Sequence, residues 1–233
     1  KGHEVILLTR GNKKIPTELE LPGVSSYSYA FQEDSQLPLE LMQTIGGIIN
    51  MAGEPIFTGR WTKEKKERIF SSRIPITRQI TEGISKLKGN NPPSLVSASA
   101  VGYYGPREEE ELKESDSPGS DFLAQLAVQW EKEALQAQEY GSKTVVLRTG
   151  IVLDKGGGAL AKMLLPFNFF IGGPLGSGKQ YVSWIHREDM ANLYVEALLN
   201  PKIQGPINAT APHPVTMKEL SQTIGKVMHR PSW

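Results

Sequence analysis

Cysteine is absent from all 233 residues, so neither a disulfide nor a thiolate metal site is available. No charge sign prevails: 26 basic and 25 acidic side chains leave a formal net charge of +1. That balance gives no reason to expect nucleic acid or a membrane surface as partner. No apolar run approaches the roughly 18 residues of a membrane span, and no secretory signal is visible. A G-x-G-x-x-G loop is missing near the start, and the first residue is Lys1 where a Met would open a full-length chain. With 39% hydrophobic and 22% charged residues, what is left is an ordinary soluble globular chain of one or two domains.

What is present alternates between strand and helix. Val5-Ile6-Leu7-Leu8-Thr9, bounded by Gly2, has the pattern of a buried parallel strand. Lys1-Gly2-His3 reads as the tail of a preceding helix, so a strand and a phosphate loop are expected upstream. Arg10 closes the strand. In a dinucleotide-binding unit an acidic residue there would bind a ribose 2′-hydroxyl, whereas Arg accommodates a 2′-phosphate; with Lys13 and Lys14 nearby it points to NADP(H). A strand at 25–31 and a short helix at 38–43 follow. Ile45 to Gly53 then forms an apolar strand ending in Asn50-Met51-Ala52-Gly53, whose small residues let a flat ligand approach the backbone.

Thr62 to Leu87 predicts a helix with Ile69, Ile76, Ile80, Ile84 and Leu87 on one stripe, interrupted at Pro75. Lys63, Lys65, Lys66 and Arg68 read as a solvated face. Arg73 is placed to reach a pyrophosphate or to form a surface salt bridge. Next comes Ser94-Leu95-Val96-Ser97-Ala98-Ser99-Ala100-Val101-Gly102-Tyr103-Tyr104-Gly105, a strand that delivers hydroxyls to its carboxyl end, where open α/β sheets bind ligands. An acidic excursion over 107–117 leads to a helix at about 122–139, with Leu123, Leu126, Trp130 and Ala134 inward. Thr144 to Leu153 is a further buried strand, with Gly150 marking a kink or close approach. The alternation predicts a doubly wound parallel sheet of Rossmann type.

The remainder changes character. Gly156-Gly157-Gly158 opens an apolar helix to Phe170. Gly172-Gly173-Pro174-Leu175-Gly176-Ser177-Gly178-Lys179-Gln180 lacks the spacing and the terminal hydroxyl of an ATP-binding P-loop. Trp184-Ile185-His186 precedes a helix expected to be capped by Asp189, a strand lies at 206–212, and a helix at 217–228 follows. For His186, donation to a ligand and a structural hydrogen bond are both open.

Together Ser97–Gly105, Asn50–Gly53, Gly172–Gly178 and Trp184–His186 resemble the epimerase family of atypical short-chain dehydrogenases/reductases, in family order and over essentially the whole chain. The resemblance implies an NADP(H)-binding Rossmann domain over 1–153 and a small substrate-binding region over 154–233. It further implies that the first strand with its glycine-rich loop, and a segment after Trp233, are missing. A gap is then expected between the strands at Val5–Thr9 and Ile48–Met51. By position it puts Thr9 and Arg10 at the adenosine phosphate, Met51, Ala52 and Gly53 beside the cofactor, Arg73 toward the pyrophosphate and Val152 at the nicotinamide end. Ser99 matches the hydroxyl that bonds the reacting substrate oxygen. The Tyr-x-x-x-Lys pair of the wider group is replaced by Phe122-Leu123-Ala124-Gln125-Leu126, which leaves Tyr103 or Tyr104 to share proton handling with Ser99.

Two functions follow. One is an NADP(H)-dependent oxidoreductase or nucleotide-sugar-epimerase-like enzyme. The other is an inactive NADPH-binding regulatory or scaffold protein, for example in organelle or cell division. The expected partner is an unidentified small molecule, with self-association left open, and the location is cytoplasmic or organellar.

Overall fold

A computed structural model describes residues 2–9, 11, 16–32, 35–87 and 91–233. The chain runs β1 (Val5–Thr9), β2 (Val24–Ser28), α1 (Leu39–Thr44), β3 (Gly47–Asn50), α2 (Lys63–Ser71), α3 (Ile74–Ser85), β4 (Ser94–Ala100), α4 (Phe122–Leu135), β5 (Thr144–Thr149), β6 (Ile151–Asp154), α5 (Gly158–Asn168), β7 (Tyr181–Val182), β8 (Trp184–His186), α6 (Arg187–Leu199), β9 (Gly205–Ala209), β10 (Val215–Thr216) and α7 (Met217–Met228). Four parallel strands in the order β3-β4-β5-β9 form the central sheet. Helices cover both faces, the Rossmann-like α/β arrangement that the alternation predicts.

The faces follow from the two-residue strand period. Leu95 and Val146 pack with Ile76, Ile80, Ile84 and Ala134 of α3 and α4. Val96, Val145 and Leu147 point the other way, onto Met190, Tyr194 and Ala197 of α6. Lys143 Nζ donates to the carbonyls of Ala197, Leu198 and Asn200, completing the carboxyl end of α6 as a cation should.

Several expectations hold with sharper bounds. The helix expected over 62–87 is two helices, broken at Ser72-Arg73, with Pro75 in the first turn of α3, where its missing N–H has no partner to lose. The helix expected to 139 ends at Leu135 and tightens into a 3₁₀ segment over Gln136–Tyr140. Gly150 is where the chain leaves β5 for β6, and a Cβ there would lie 2.7 Å from the Ser183 carbonyl oxygen. The β1 and β3 strands do not pair: β1 pairs with β2 and β3 with β4.

Two local readings are corrected. Lys65 is not on a solvated face; its side chain is 4% exposed, and Nζ donates to Glu54 Oε1 at 2.6 Å and to the Pro55 carbonyl at 2.9 Å. The loop after β3 folds back over α2 and supplies the acceptors that a buried ammonium requires. His186 rather than Asp189 caps α6: its Nδ1 accepts from the Glu188 backbone N–H, and Asp189 sits in the first turn.

Candidate functional site

Strand β4 presents Leu95, Ser97 and Ser99 to one face, so its two serines meet the helices α3 and α4. Ser97 joins a neutral network. The Asn50 side-chain amide donates to Thr77 Oγ1 at 2.8 Å and to Ser97 Oγ at 3.2 Å, and Trp130 Nε1 donates to the same Thr77 oxygen at 2.9 Å. All four residues are buried. Asn50 Oδ1 accepts from the Ala52 backbone N–H, which fixes the turn leaving β3.

Two residues further along β4, toward the carboxyl edge, the network becomes charged. Ser99, 4% exposed, donates to Glu131 Oε1 at 2.6 Å. Arg148, at 2% exposure on the neighbouring strand, grips the same carboxylate through Nε and Nη2, both at 2.9 Å. Its remaining arm donates to Tyr104 Oη at 2.9 Å and to the Glu114 carbonyl at 3.0 Å. Tyr104 Oη in turn donates to Asn208 Oδ1 at 2.6 Å. Burial works against the Arg148 charge, yet the hydrogen bonds and charge of Glu131, with Tyr104, outweigh it and raise the guanidinium pKa. The guanidinium carbon also lies 3.5 Å from the Tyr103 ring centroid and 5.1 Å from that of Tyr104. The two tyrosine rings meet edge to face at 5.2 Å.

The tyrosine loop is clamped from above. The Gly119 N–H donates to the Tyr103 carbonyl, and a Cβ at Gly119 would sit 2.7 Å from the Tyr104 carbonyl oxygen. Only a glycine permits that approach.

Because Asn50 pairs with Ser97 in the register of β3 and β4, the Met51–Gly53 exit lies beside the Ser99–Tyr103 exit on the carboxyl edge of the sheet. Met51 is 66% exposed, Ala52 is half-buried, and Gly53 is exposed. An open strip of small and apolar groups of this kind fits the flat ring of a dinucleotide. Arg73 joins this edge but spends its donors on the protein. Nη2 donates to the Glu54 carbonyl, Nη1 to the Ile69 carbonyl and Ser72 Oγ, and the guanidinium packs on Gly53 and lies 5.1 Å from the Trp130 ring centroid. Burial lowers its pKa, with Glu54 opposing. Its observed work is to brace the loop after β3.

Other expected site residues are not gathered here. Thr9 ends β1 in a separate two-stranded sheet, its carbonyl accepting from the Tyr29 N–H. Val152 lies on β6 opposite Ile185, packed against the α6 core. Arg10, with Lys13 and Lys14, lies outside the described residues. At Phe122 and Leu126, where the family resemblance puts the Tyr-x-x-x-Lys pair, Phe122 meets Trp61 edge to face at 6.0 Å and lies under Lys66 Nζ, while Leu126 is buried. An apolar cleft of about 220 Å³ opens elsewhere, lined by Phe57, Lys162, Met163, Leu175 and Leu220 among others, and shares no residue with the strand exits.

Glu131, Arg148, Glu114 and Asn208 did not stand out in the sequence. The signal was there: a lone Arg within a β-branched strand and a lone Glu on an apolar helix face must each find a partner.

A parallel sheet with helices on both faces and hydroxyls at a central strand exit is the Rossmann-like arrangement in which ligands sit at the carboxyl edge. The chain belongs to the NAD dependent epimerase/dehydratase family, whose pattern matches residues 1–209. Over its full length it is 42% identical to the epimerase family protein SDR39U1 homolog, chloroplastic, of Arabidopsis thaliana, and spans 66% of that protein's length. It is also 42% identical, over 234 residues, to the epimerase family protein YfhF of Bacillus subtilis, spanning 74% of it. The crystal structure of human epimerase family protein SDR39U1 (isoform 2) with NADPH superposes with a TM-score of 0.82 at 32% identity, covering 100% of this chain and 74% of that one. Among the described residues no helix is long and apolar enough to cross a membrane.

Proposed function

We propose that the chain binds NADP(H) and acts as an oxidoreductase, or an epimerase-like enzyme, on a hydroxyl or carbonyl group of a small molecule. The observation that carries this reading is the adjacency of the Met51–Gly53 exit and the Ser99–Tyr103 exit on one sheet edge. Support for the cofactor comes from the human relative crystallised with NADPH. Met51, Ala52 and Gly53 line the ring of the cofactor, with Thr9 and Arg10 toward the adenosine phosphate and Val152 toward the nicotinamide. Arg73 shapes the loop that faces the pyrophosphate. The bound cofactor supplies or takes a hydride. Ser99 orients the reacting oxygen, and residues 154–233 form the substrate side.

Packing at Phe122–Leu126 favours a second reading. Those positions hold neither a proton donor nor a cation, as would suit an NADPH-binding regulatory or scaffold protein. Calorimetry of the full-length protein with NADPH, combined with a carbonyl panel followed at the absorbance of the reduced nicotinamide, separates the two. Tight binding with turnover is the expected result. Tight binding without turnover of any compound would remove the enzyme reading and leave the regulatory one.

A further inference from the structure

Ser99, Tyr103 and Tyr104 follow one another at the exit of β4, and counting their protons separates them. A hydroxyl has one proton to give. Ser99 gives its proton to Glu131, and Tyr104 gives its own to Asn208 while accepting from Arg148. Among the described residues the Tyr103 hydroxyl has no hydrogen-bond partner, and its half-buried ring carries the Arg148 guanidinium against its face at 3.5 Å.

We infer that Tyr103 is the catalytic proton donor and acceptor, and that the Glu131–Arg148 pair is the positioning unit that holds a cation on its ring. This rests on the oxidoreductase reading above. In reduction, a hydride from the reduced nicotinamide bonds to the carbonyl carbon, and the C=O π electrons pass to oxygen. That oxygen takes the proton of Tyr103 Oη, giving an alcohol and the oxidised nicotinamide. The phenolate is then reprotonated from water, and oxidation runs the same steps backward. The fixed guanidinium stabilises the negative charge that develops on the phenol, the work a lysine does in the Tyr-x-x-x-Lys arrangement. Ser99, its proton committed to Glu131, has none to give a carbonyl oxygen; it lines the approach to that oxygen and does not supply the proton.

With 4-nitrobenzaldehyde and NADPH as probes, Tyr103→Phe is expected to lower kcat by about 100-fold or more, the scale of a lost general acid. KM and NADPH affinity should stay close to those of the parent protein. Arg148→Lys keeps the charge but not the planar stack or the two-point grip on Glu131. It should lower kcat while KM stays near its parent value. A readout independent of turnover is nitration by tetranitromethane with peptide mass mapping. Tyr103 should react ahead of the more exposed Tyr140 and Tyr181, at 41% and 45% exposure, and lose that lead in Arg148→Lys. Turnover surviving Tyr103→Phe, or nitration that does not favour Tyr103, would overturn the assignment of Tyr103. Absence of turnover across the whole carbonyl panel in the parent protein would instead overturn the oxidoreductase reading on which it rests.

Discussion

Strands β1 and β5 are both short runs rich in Val and Leu, yet the structure treats them oppositely. In β5, Val145, Val146 and Leu147 are fully buried, held between α3 and α4 on one face and α6 on the other. In β1, Val5, Ile6 and Leu8 are 45%, 38% and 36% exposed, and among the described residues the strand pairs with β2 alone. The side chains are nearly the same; the layers over them differ. Apolar content shows that a strand can be buried, and its neighbours decide whether it is. The interior sheet also tolerates a charge, at Arg148, because a partner from α4 arrives to meet it.

The strongest way to break this contrast is to leave that charge alone. Arg148→Ala strands Glu131 in the interior and should cost about 3–5 kcal/mol in urea unfolding. Replacing both partners, as Arg148→Met with Glu131→Leu, should recover most of that loss, since an apolar pair of similar volume leaves no buried charge unpaired. A double variant no more stable than Arg148→Ala would show that the pair contributes more than mutual neutralisation.

A matched truncation sharpens the comparison between strands. Leu147→Ala should cost about 2–5 kcal/mol through lost burial and a residual cavity. Leu8→Ala should cost no more than about 1 kcal/mol, as a half-exposed side chain has less to lose. Equal losses by the same denaturation assay would mean that β1 is covered in solution.

The smallest effect concerns the loop after β3. Hydrogen bonding from Lys65, with further help from Arg68, lowers the Glu54 pKa below its ordinary 4.5. A lowered folded-state pKa contributes stability that is present above 4.5 and fades as the pH falls through the folded value. Lys65 then loses its counter-charge. Limited proteolysis of the 51–62 loop should therefore accelerate below pH 4.5 in the parent protein, and Glu54→Gln should remove that pH step. A step unchanged in Glu54→Gln would assign it to another carboxylate.

Much of the architecture was legible because it rests on local signals. The isoleucine stripe from Ile76 to Ile84, the Pro75 break and the small residues after Asn50 each declare themselves within a few residues, whereas Ile69, expected on the same stripe, packs from α2 onto Trp130. The edge where Ser99 and Met51–Gly53 meet was legible too, since strand exits collect on one side of a parallel sheet. What stayed hidden were pairings across the chain. Lys65 sits in a run of charges that looks solvated, and only the return of Glu54 shows otherwise. Glu131 and Arg148 lie 17 positions apart on a helix and a strand whose packing no periodicity specifies. For Arg73 a pyrophosphate contact and a surface salt bridge are both open in the sequence, because nothing in its neighbourhood shows that Gly53 and Glu54 close over it.

The bond from Tyr104 to Asn208 joins positions 104 residues apart and hangs on β9, which reaches its place only when Leu147 and Ile207 find each other. Segments close in the chain meet sooner than distant ones, because loop closure grows costlier with length. During folding, β3, β4 and β5 with α3 and α4 should therefore assemble first, and β9 should dock onto their edge last. Pulsed hydrogen exchange should find the amides of Val145–Leu147 protected before those of Ile207–Ala209; simultaneous protection would refute that order. The tyrosine end of β4, midway along the chain, would then be among the last parts to mature, taking its final shape only once β9 had closed against β5.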